Sequence, residues 1–142
     1  MRFTDSTLVK APPDVVWRLT IDVTSWPSLS PTMTRVERLD DGPIQVGSSA
    51  RVKQPAQPAG VWTVTRLDDQ RAFVWQTVRP GLTMVGSHLL AETEAGCQNT
   101  LELELIGPLA TPIGLLLGPL MRRSIRQENA GFKAEAEHLY QN

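Results

Sequence analysis

The chain has 142 residues, a length typical of one domain with one hydrophobic core. Apolar residues make up 41% of it and charged residues 20%, and the formal net charge of −1 excludes the strongly basic surface of a dedicated nucleic-acid binder. The single cysteine, Cys97, excludes an intramolecular disulfide and a multi-cysteine metal site. We therefore expect one domain over residues 1–142, with no metal, no cofactor and no nucleic-acid partner.

Two segments bear on location. The first six residues become polar before an apolar run develops, which argues against a secretory signal peptide and predicts the cytoplasm. Residues 105–121 are strongly apolar, but they are fewer than the ~20 that a membrane span needs and include three prolines and three glycines. We expect a buried segment there and no stable membrane insertion.

The pattern of apolar and turn residues predicts the elements in chain order. A strand over residues 3–9 is followed by a helix that Pro12 and Pro13 open, and by a turn or one short helix near Trp26. Short runs rich in Val, Thr, Trp and Leu predict six further strands, at residues 33–39, 48–54, 61–67, 72–78, 82–93 and 98–106. After Pro112 the apolar period becomes helical, and Pro119 is expected to bend this helix or to begin a second one.

Tight connections between these strands predict antiparallel neighbours. The expected fold is of the α+β class, with a seven-stranded curved antiparallel sheet wrapped around a long C-terminal helix and short helices between strands 1 and 2. A curved sheet cannot bring its whole concave face into contact with a cylinder. This architecture predicts an apolar cavity between sheet and helix.

Five short motifs accompany this order of elements. They are residues 11–17 (APPDVVW), Asp22 with residues 25–27 (SWP), Gly42-Pro43 before residues 46–48 (VGS), residues 71–75 (RAFVW) and residues 107–109 (GPL). Together with the order of the elements they resemble the SRPBCC superfamily of START-related lipid-transfer and polyketide cyclase proteins, which have the helix-grip fold. The resemblance covers nearly the whole chain and is closest to the bacterial polyketide cyclase/dehydrase-like branch. It implies an internal cavity for a small hydrophobic or amphipathic molecule, used for carriage, sensing or occasionally catalysis.

His88 is the candidate catalytic residue, although no catalytic role is assigned to it from the sequence. It shares one strand face with Met84, Gly86 and Leu90, so burial would keep it neutral and able to bond a ligand hydroxyl or carbonyl or to act as a general base. The alternative is a core histidine bonded to a protein partner. Ser87 points to the opposite face, and Cys97 is expected in a hairpin turn, so no Ser-His-acid triad is indicated.

Further residues are expected to contact a ligand through apolar surface or through hydrogen bonds. Asn99 offers a donor and an acceptor. Either Glu128 or Asn129 can enter the cavity as its polar anchor, and the alternative that we favour for Glu128 is a position at the rim, paired with a nearby arginine. Trp26 is expected to fix the first helical segment against the sheet. The predicted ligand-binding residues are Trp62, Trp75, Met84, His88, Leu90, Asn99, Leu101, Leu103, Leu117, Met121, Ile125 and Phe132.

Three functions remain open from the sequence. The first is a soluble carrier of one small hydrophobic ligand, present as a monomer or weak homodimer. The second is a polyketide cyclase/dehydrase-like enzyme with His88 as general base or hydrogen-bond donor. The third is an interaction protein with a filled core, whose helix near residues 115–121 docks a partner. The arginines at 122, 123 and 126 form either a solvated helix face or a site for phosphate or acidic lipid.

Overall fold

A computed structural model of the chain describes residues 1–55 and 58–141, which form seven strands and three α-helices. A short 3₁₀ turn at Val23–Ser25 joins the first two helices. The predicted fold class is confirmed, including the short helices between strands 1 and 2. The elements are β1 (Arg2–Val9), α1 (Pro13–Ile21), α2 (Trp26–Leu29), β2 (Arg35–Arg38), β3 (Ser49–Lys53), β4 (Gly60–Asp68), β5 (Ala72–Arg79), β6 (Leu82–Thr93), β7 (Gly96–Ile106) and α3 (Ala110–Gln141).

The strands form one antiparallel sheet in the order β1-β7-β6-β5-β4-β3-β2. Successive strands from β2 to β7 are neighbours, as tight hairpins require, and β1 closes the order by pairing with β7. A bulge between Val64 and Arg66 interrupts the pairing of β4 with β5, a feature that bends and twists a strand. The period of two along β5, β6 and β7 places their large apolar side chains on one concave face, which α3 covers.

Strand β7 begins earlier than predicted, at Gly96, so Cys97 lies in the strand and is fully buried. The expectation that Cys97 is a turn residue is wrong. Its partner across the ladder is Val9, and a Cβ on Gly96 would clash with the carbonyl oxygen of that residue, so glycine allows β1 to pair up to this point. Burial raises the pKa of the Cys97 thiol, which keeps it protonated and inert.

Helix α3 runs unbroken for 32 residues and contains Pro119. No second helix begins there, so that part of the prediction is wrong. The proline removes only the hydrogen bond to the carbonyl of Leu115, a residue that is 71% exposed and whose carbonyl water can reach. The inward positions recur three to four residues apart, at Ala110, Gly114, Gly118, Ile125, Asn129, Phe132 and Ala136.

Buried polar and close backbone contacts fix the C-terminal half of α3. The Asn99 Nδ2 donates to Asn129 Oδ1 at 2.9 Å, and the Asn129 Nδ2 donates to Asn99 O at 3.1 Å and to Asp5 Oδ2 at 3.0 Å. On the other side of the helix, Gly131 meets α2 so closely that a Cβ there would clash with the carbonyl oxygen of Leu29. These contacts set the distance between helix and sheet, and with it the space left between them.

Candidate functional site

A cavity of about 390 Å³ lies between the concave face of the sheet and α3. Its exposed lining residues lie on two sides, in the segments at residues 31–33 and 52–55 and on α3, so the cavity opens between them. The exposed lining residues are Pro31, Pro55, Leu117, Leu120, Arg123 and Gln127. The core is therefore not completely filled. The predicted ligand-binding residues that line this cavity are Trp62, Trp75, Met84, His88, Leu101, Leu103, Leu117, Met121 and Ile125.

Leu90, Asn99 and Phe132 do not lie on the cavity wall among the described residues. Leu90 and Phe132 are packed in the core with 6% and 3% of their surface exposed. Asn99 is fully buried: its Nδ2 donates to Asn129 Oδ1 of α3, and its Oδ1 has no hydrogen-bond partner among the described residues. These three residues share a face with cavity residues but lie beyond the point where α3 closes on the sheet.

The wall also includes residues that the sequence analysis did not assign to a site. Trp26 packs against the sheet as predicted, with its Nε1 donating to Leu19 O at 3.1 Å, but its ring also lines the cavity. Thr32, Leu120 and Ser124 line it as well. The loop that holds Thr32 has no periodic pattern of apolar residues. The only sequence signal near this loop is the Trp-Pro pair at the end of the helical segment.

Three tryptophans form an aromatic wall. The ring centroids of Trp26 and Trp75 are 5.1 Å apart and those of Trp62 and Trp75 are 5.6 Å apart, so the two strand tryptophans contact each other. Gly86, opposite Trp75 on β6, leaves room for these rings, because a Cβ there would meet Trp75 Cδ1 at 3.3 Å. Flat aromatic surface of this kind suits an apolar or ring-containing ligand.

His88 lies in an aromatic surround and is only 6% exposed. Its ring centroid is 4.8 Å from that of Trp26, 5.4 Å from Phe132 and 5.7 Å from Phe73. Burial lowers the pKa of His88 to about 3, so the ring is neutral at physiological pH. The expectation of a neutral, cavity-facing histidine therefore agrees with its position.

The hydrogen bonding of His88 selects one tautomer. Its Nδ1 is buried and has no hydrogen-bond partner among the described residues. A buried N–H without an acceptor is less tolerable than a buried lone pair without a donor, so the single proton belongs on Nε2. The ring then presents a donor, suited to a carbonyl or hydroxyl oxygen of a ligand.

Glu128 is the second polar group of the cavity. Its Oε1 accepts a hydrogen bond of 2.9 Å from Thr32 Oγ1, and Thr32 Oγ1 lies 2.9 Å from Ser30 Oγ. Burial raises the pKa of Glu128 to about 7, and the bond from Thr32 offsets part of this rise. Within the described part of the chain Glu128 forms no ion pair, so the expectation of an arginine partner is wrong and Thr32 takes that place.

The site combines a large apolar surface with polar groups, of which His88 and Glu128 can both be neutral; Glu102 and Arg123 line the cavity as well. Near neutral pH His88 is uncharged, while Glu128 exchanges between the acid and the carboxylate. Such a cavity can bind an uncharged molecule with a few oxygen atoms, and the exchanging proton of Glu128 can be given or taken at low cost.

Comparisons with known proteins agree with this architecture. The family model "Polyketide cyclase / dehydrase and lipid transport" matches residues 1–137. A search of curated proteins finds no match.

Solved structures show the same fold at low sequence identity. The Zhui aromatase/cyclase from Streptomyces sp. R1128 is 22% identical, with 96% of this chain and 93% of that one covered and a TM-score of 0.77. TTHA0849 from Thermus thermophilus is 14% identical, with coverage of 96% and 97% and a TM-score of 0.78. One half of the di-domain ARO/CYC StfQ from the steffimycin biosynthetic pathway is 14% identical, with 99% of this chain and 52% of that chain covered and a TM-score of 0.77. With the family match over residues 1–137, the chain belongs to the polyketide cyclase / dehydrase and lipid transport family, within the SRPBCC superfamily of helix-grip proteins.

Proposed function

We propose that this protein binds and carries one small hydrophobic or amphipathic molecule in the cavity between its sheet and α3. The observation that supports this most directly is the cavity itself, about 390 Å³ in volume and walled by aromatic and aliphatic side chains. That volume is within the roughly 300–1,000 Å³ of small-molecule sites. Apolar burial at roughly 25 cal/mol per Å² would supply most of the affinity.

The two polar groups restrict the ligand class. A neutral His88 with its proton on Nε2 favours a ligand oxygen that accepts a hydrogen bond. Glu128, held by Thr32, favours a ligand hydroxyl when ionised and a carbonyl when protonated. The proposed ligand is therefore a ring-containing or lipid-like molecule with oxygen atoms near one end.

A second candidate function is catalysis of the polyketide cyclase/dehydrase type, and the pKa of Glu128 favours it. Proton transfer is most efficient when the pKa of the catalytic group is near the working pH, and that of Glu128 is about 7. A histidine with a pKa of about 3 is a weak base at neutral pH, so His88 suits hydrogen-bond donation better than proton abstraction. In this candidate Glu128 moves the proton and His88 orients the ligand oxygen.

Native mass spectrometry of the purified protein tests carriage. A stoichiometric extra mass that denaturation releases supports it and identifies the ligand class. Uptake of 1-anilinonaphthalene-8-sulfonate, followed by energy transfer from the wall tryptophans, provides the affinity measurement.

Paired variants connect the probe to the cavity. Ser124→Phe fills space on the wall, whereas Ala130→Phe adds the same ring to an exposed position of the same helix. We expect Ser124→Phe to weaken probe binding about tenfold or more, because its ring occupies space that the probe needs. Equal affinities for both variants and the wild type would reject the cavity as the binding site.

Incubation of the released ligand with fresh protein separates carrier from enzyme. A carrier returns the molecule with unchanged mass. An enzyme changes it, with loss of water for a dehydrating cyclisation, and Glu128→Gln then slows the reaction by about 10²–10⁴-fold while binding persists.

A further inference from the structure

The N-terminal half of α3 exposes three large apolar side chains in addition to those that it turns inward. Ala110, Gly114 and Gly118 pack inward, Ile113 and Met121 pack against the core, and Leu117 lines the cavity. Leu115, Leu116 and Leu120 are instead 71%, 78% and 55% exposed. A surface helix ordinarily buries its large apolar side chains and exposes its polar ones. These exposed leucines indicate a partner outside the chain.

The charges beside these leucines are all positive. Arg122, Arg123 and Arg126 are exposed, and none of them forms an ion pair with another residue that the structure describes. The Arg122 guanidinium carbon lies 5.0 Å from the centroid of the Phe3 ring, a contact that leaves its charge without a carboxylate partner. The sequence contains no Asp or Glu between Glu104 and Glu128. The "leucine–arginine face", defined as residues 115, 116, 120, 122, 123 and 126, therefore combines exposed aliphatic surface with unneutralised positive charge.

This face adjoins the mouth of the cavity. Leu120 and Arg123 line the cavity and also belong to the leucine–arginine face. Whatever covers the face is thus next to the entrance that a ligand uses.

We propose that the leucine–arginine face docks on the surface of an anionic lipid bilayer. The leucines enter the boundary between headgroups and acyl chains, and the arginines bind lipid phosphates, as in amphipathic helices that lie in a membrane interface. No helix of the described residues is long and apolar enough to cross a membrane. The contact is peripheral, and it does not depend on the function proposed for the cavity.

Chemistry favours lipid over a protein partner. Contact surfaces between proteins are enriched in Trp, Tyr and Arg, and Leu is under-represented among their energetically dominant residues. The face shares only its arginines with such surfaces, because its exposed apolar residues are leucines and none is aromatic. A two-fold dimer through this face would bring the same three arginines of both copies together, and no carboxylate on the face would neutralise them. Anionic lipid supplies the missing negative charge.

Flotation with vesicles measures the docking. The purified protein is mixed with vesicles of phosphatidylcholine alone or of equal parts phosphatidylcholine and phosphatidylglycerol, at low and at high salt. We expect binding to the anionic vesicles, with loss at high salt because the lipid charge is then screened.

Matched variants assign the binding to the face. Leu116→Ser combined with Leu120→Ser should weaken binding about tenfold or more, and each Arg→Gln change at Arg122 or Arg123 about fivefold. The controls are Leu139→Ser, 49% exposed near the other end of α3, and Arg71→Gln, exposed in the turn between β4 and β5. All these sites are at the surface, so circular dichroism should show every variant folded.

Four results would overturn the proposal. The first is failure to float with anionic vesicles at low salt. The second is equal binding to neutral vesicles, and the third is an equal loss of binding in the control variants. The fourth is a dimer by native mass spectrometry that Leu116→Ser disperses, which would assign the face to a second copy of the chain. A protein that docks on vesicles yet holds no cavity ligand would leave this proposal standing and reject only the carrier function.

Discussion

Replacing Glu128 with glutamine tests the electrostatics of the cavity in the ligand-free protein. The glutamine keeps the size of the side chain and an oxygen that accepts from Thr32, but it cannot ionise. In the wild type the pKa of Glu128 rises from 4.5 to about 7 on folding, because burial penalises the carboxylate. A group whose pKa is raised by folding favours the folded state only while it is protonated.

The sign and size of the effect follow from those values. The contribution of Glu128 to stability is fully present below pH 4.5, and it is lost as the pH rises through about 7. At about 1.4 kcal/mol for each pH unit between 4.5 and about 7, the loss amounts to about 3 kcal/mol. The glutamine variant lacks this loss. Between pH 4.5 and pH 7 its free energy of unfolding should therefore fall by less than that of the wild type.

Urea unfolding at several pH values, followed by tryptophan fluorescence, measures the difference between the two proteins. Taking a difference matters because His88 titrates over part of the same range with the opposite sign, and Arg123 also lines the cavity. Both groups are present in both proteins, and their contributions largely cancel. Parallel pH profiles for wild type and Glu128→Gln would refute the argument that burial controls this carboxyl group.

Three further changes probe other parts of the site. Folding lowers the pKa of His88, so the wild type should lose stability as the pH falls from 6.5 toward about 3. His88→Phe should abolish this loss, and acid unfolding of both proteins measures the difference. Asn129→Ala leaves the buried amide of Asn99 without its partner and should lower the free energy of urea unfolding by at least about 2 kcal/mol. An unchanged free energy would show that these hydrogen bonds do not stabilise the fold. Gly131→Ala should lower the melting temperature although alanine favours helices, because its Cβ clashes with the backbone of α2. Gly118→Ala should raise or preserve the melting temperature, because the atom nearest to its Cβ is 3.4 Å away.

Much of the fold could be predicted because its signals are local. The alternation of Leu101, Leu103 and Leu105 indicates one strand face, and the helical period after Pro112 indicates the long helix. The limits of β2 were predicted too widely, at residues 33–39 against Arg35–Arg38, because Met33 and Thr34 have strand-forming side chains but lie in the loop that leads to the cavity. Strand propensity does not show at which residue a strand loses its hydrogen-bonded neighbour.

The site was harder to predict because its polar contacts join distant parts of the chain. Thr32 and Glu128 are 96 residues apart, and Asn99 and Asn129 are 30 apart. Each residue alone fits a solvated loop or helix, and only the packing of α3 on the sheet brings the pairs together. The same packing decides that Asn99 bonds the helix while His88, on the neighbouring strand, keeps its Nδ1 without a partner among the described residues.

The two ends of α3 are attached to the sheet in different ways. In the described structure its C-terminal half is held by the buried amide of Asn129 and by Lys133 Nζ, which donates to Leu8 O at 2.8 Å. Its N-terminal half rests on apolar contacts, such as Gly118 against the ring of Phe3. A segment held by few buried contacts opens at a lower free energy than one held by a buried hydrogen-bond network. The N-terminal half also forms the cavity mouth and presents the exposed leucines, so ligand exchange and contact with a surface are both expected at this end of the helix.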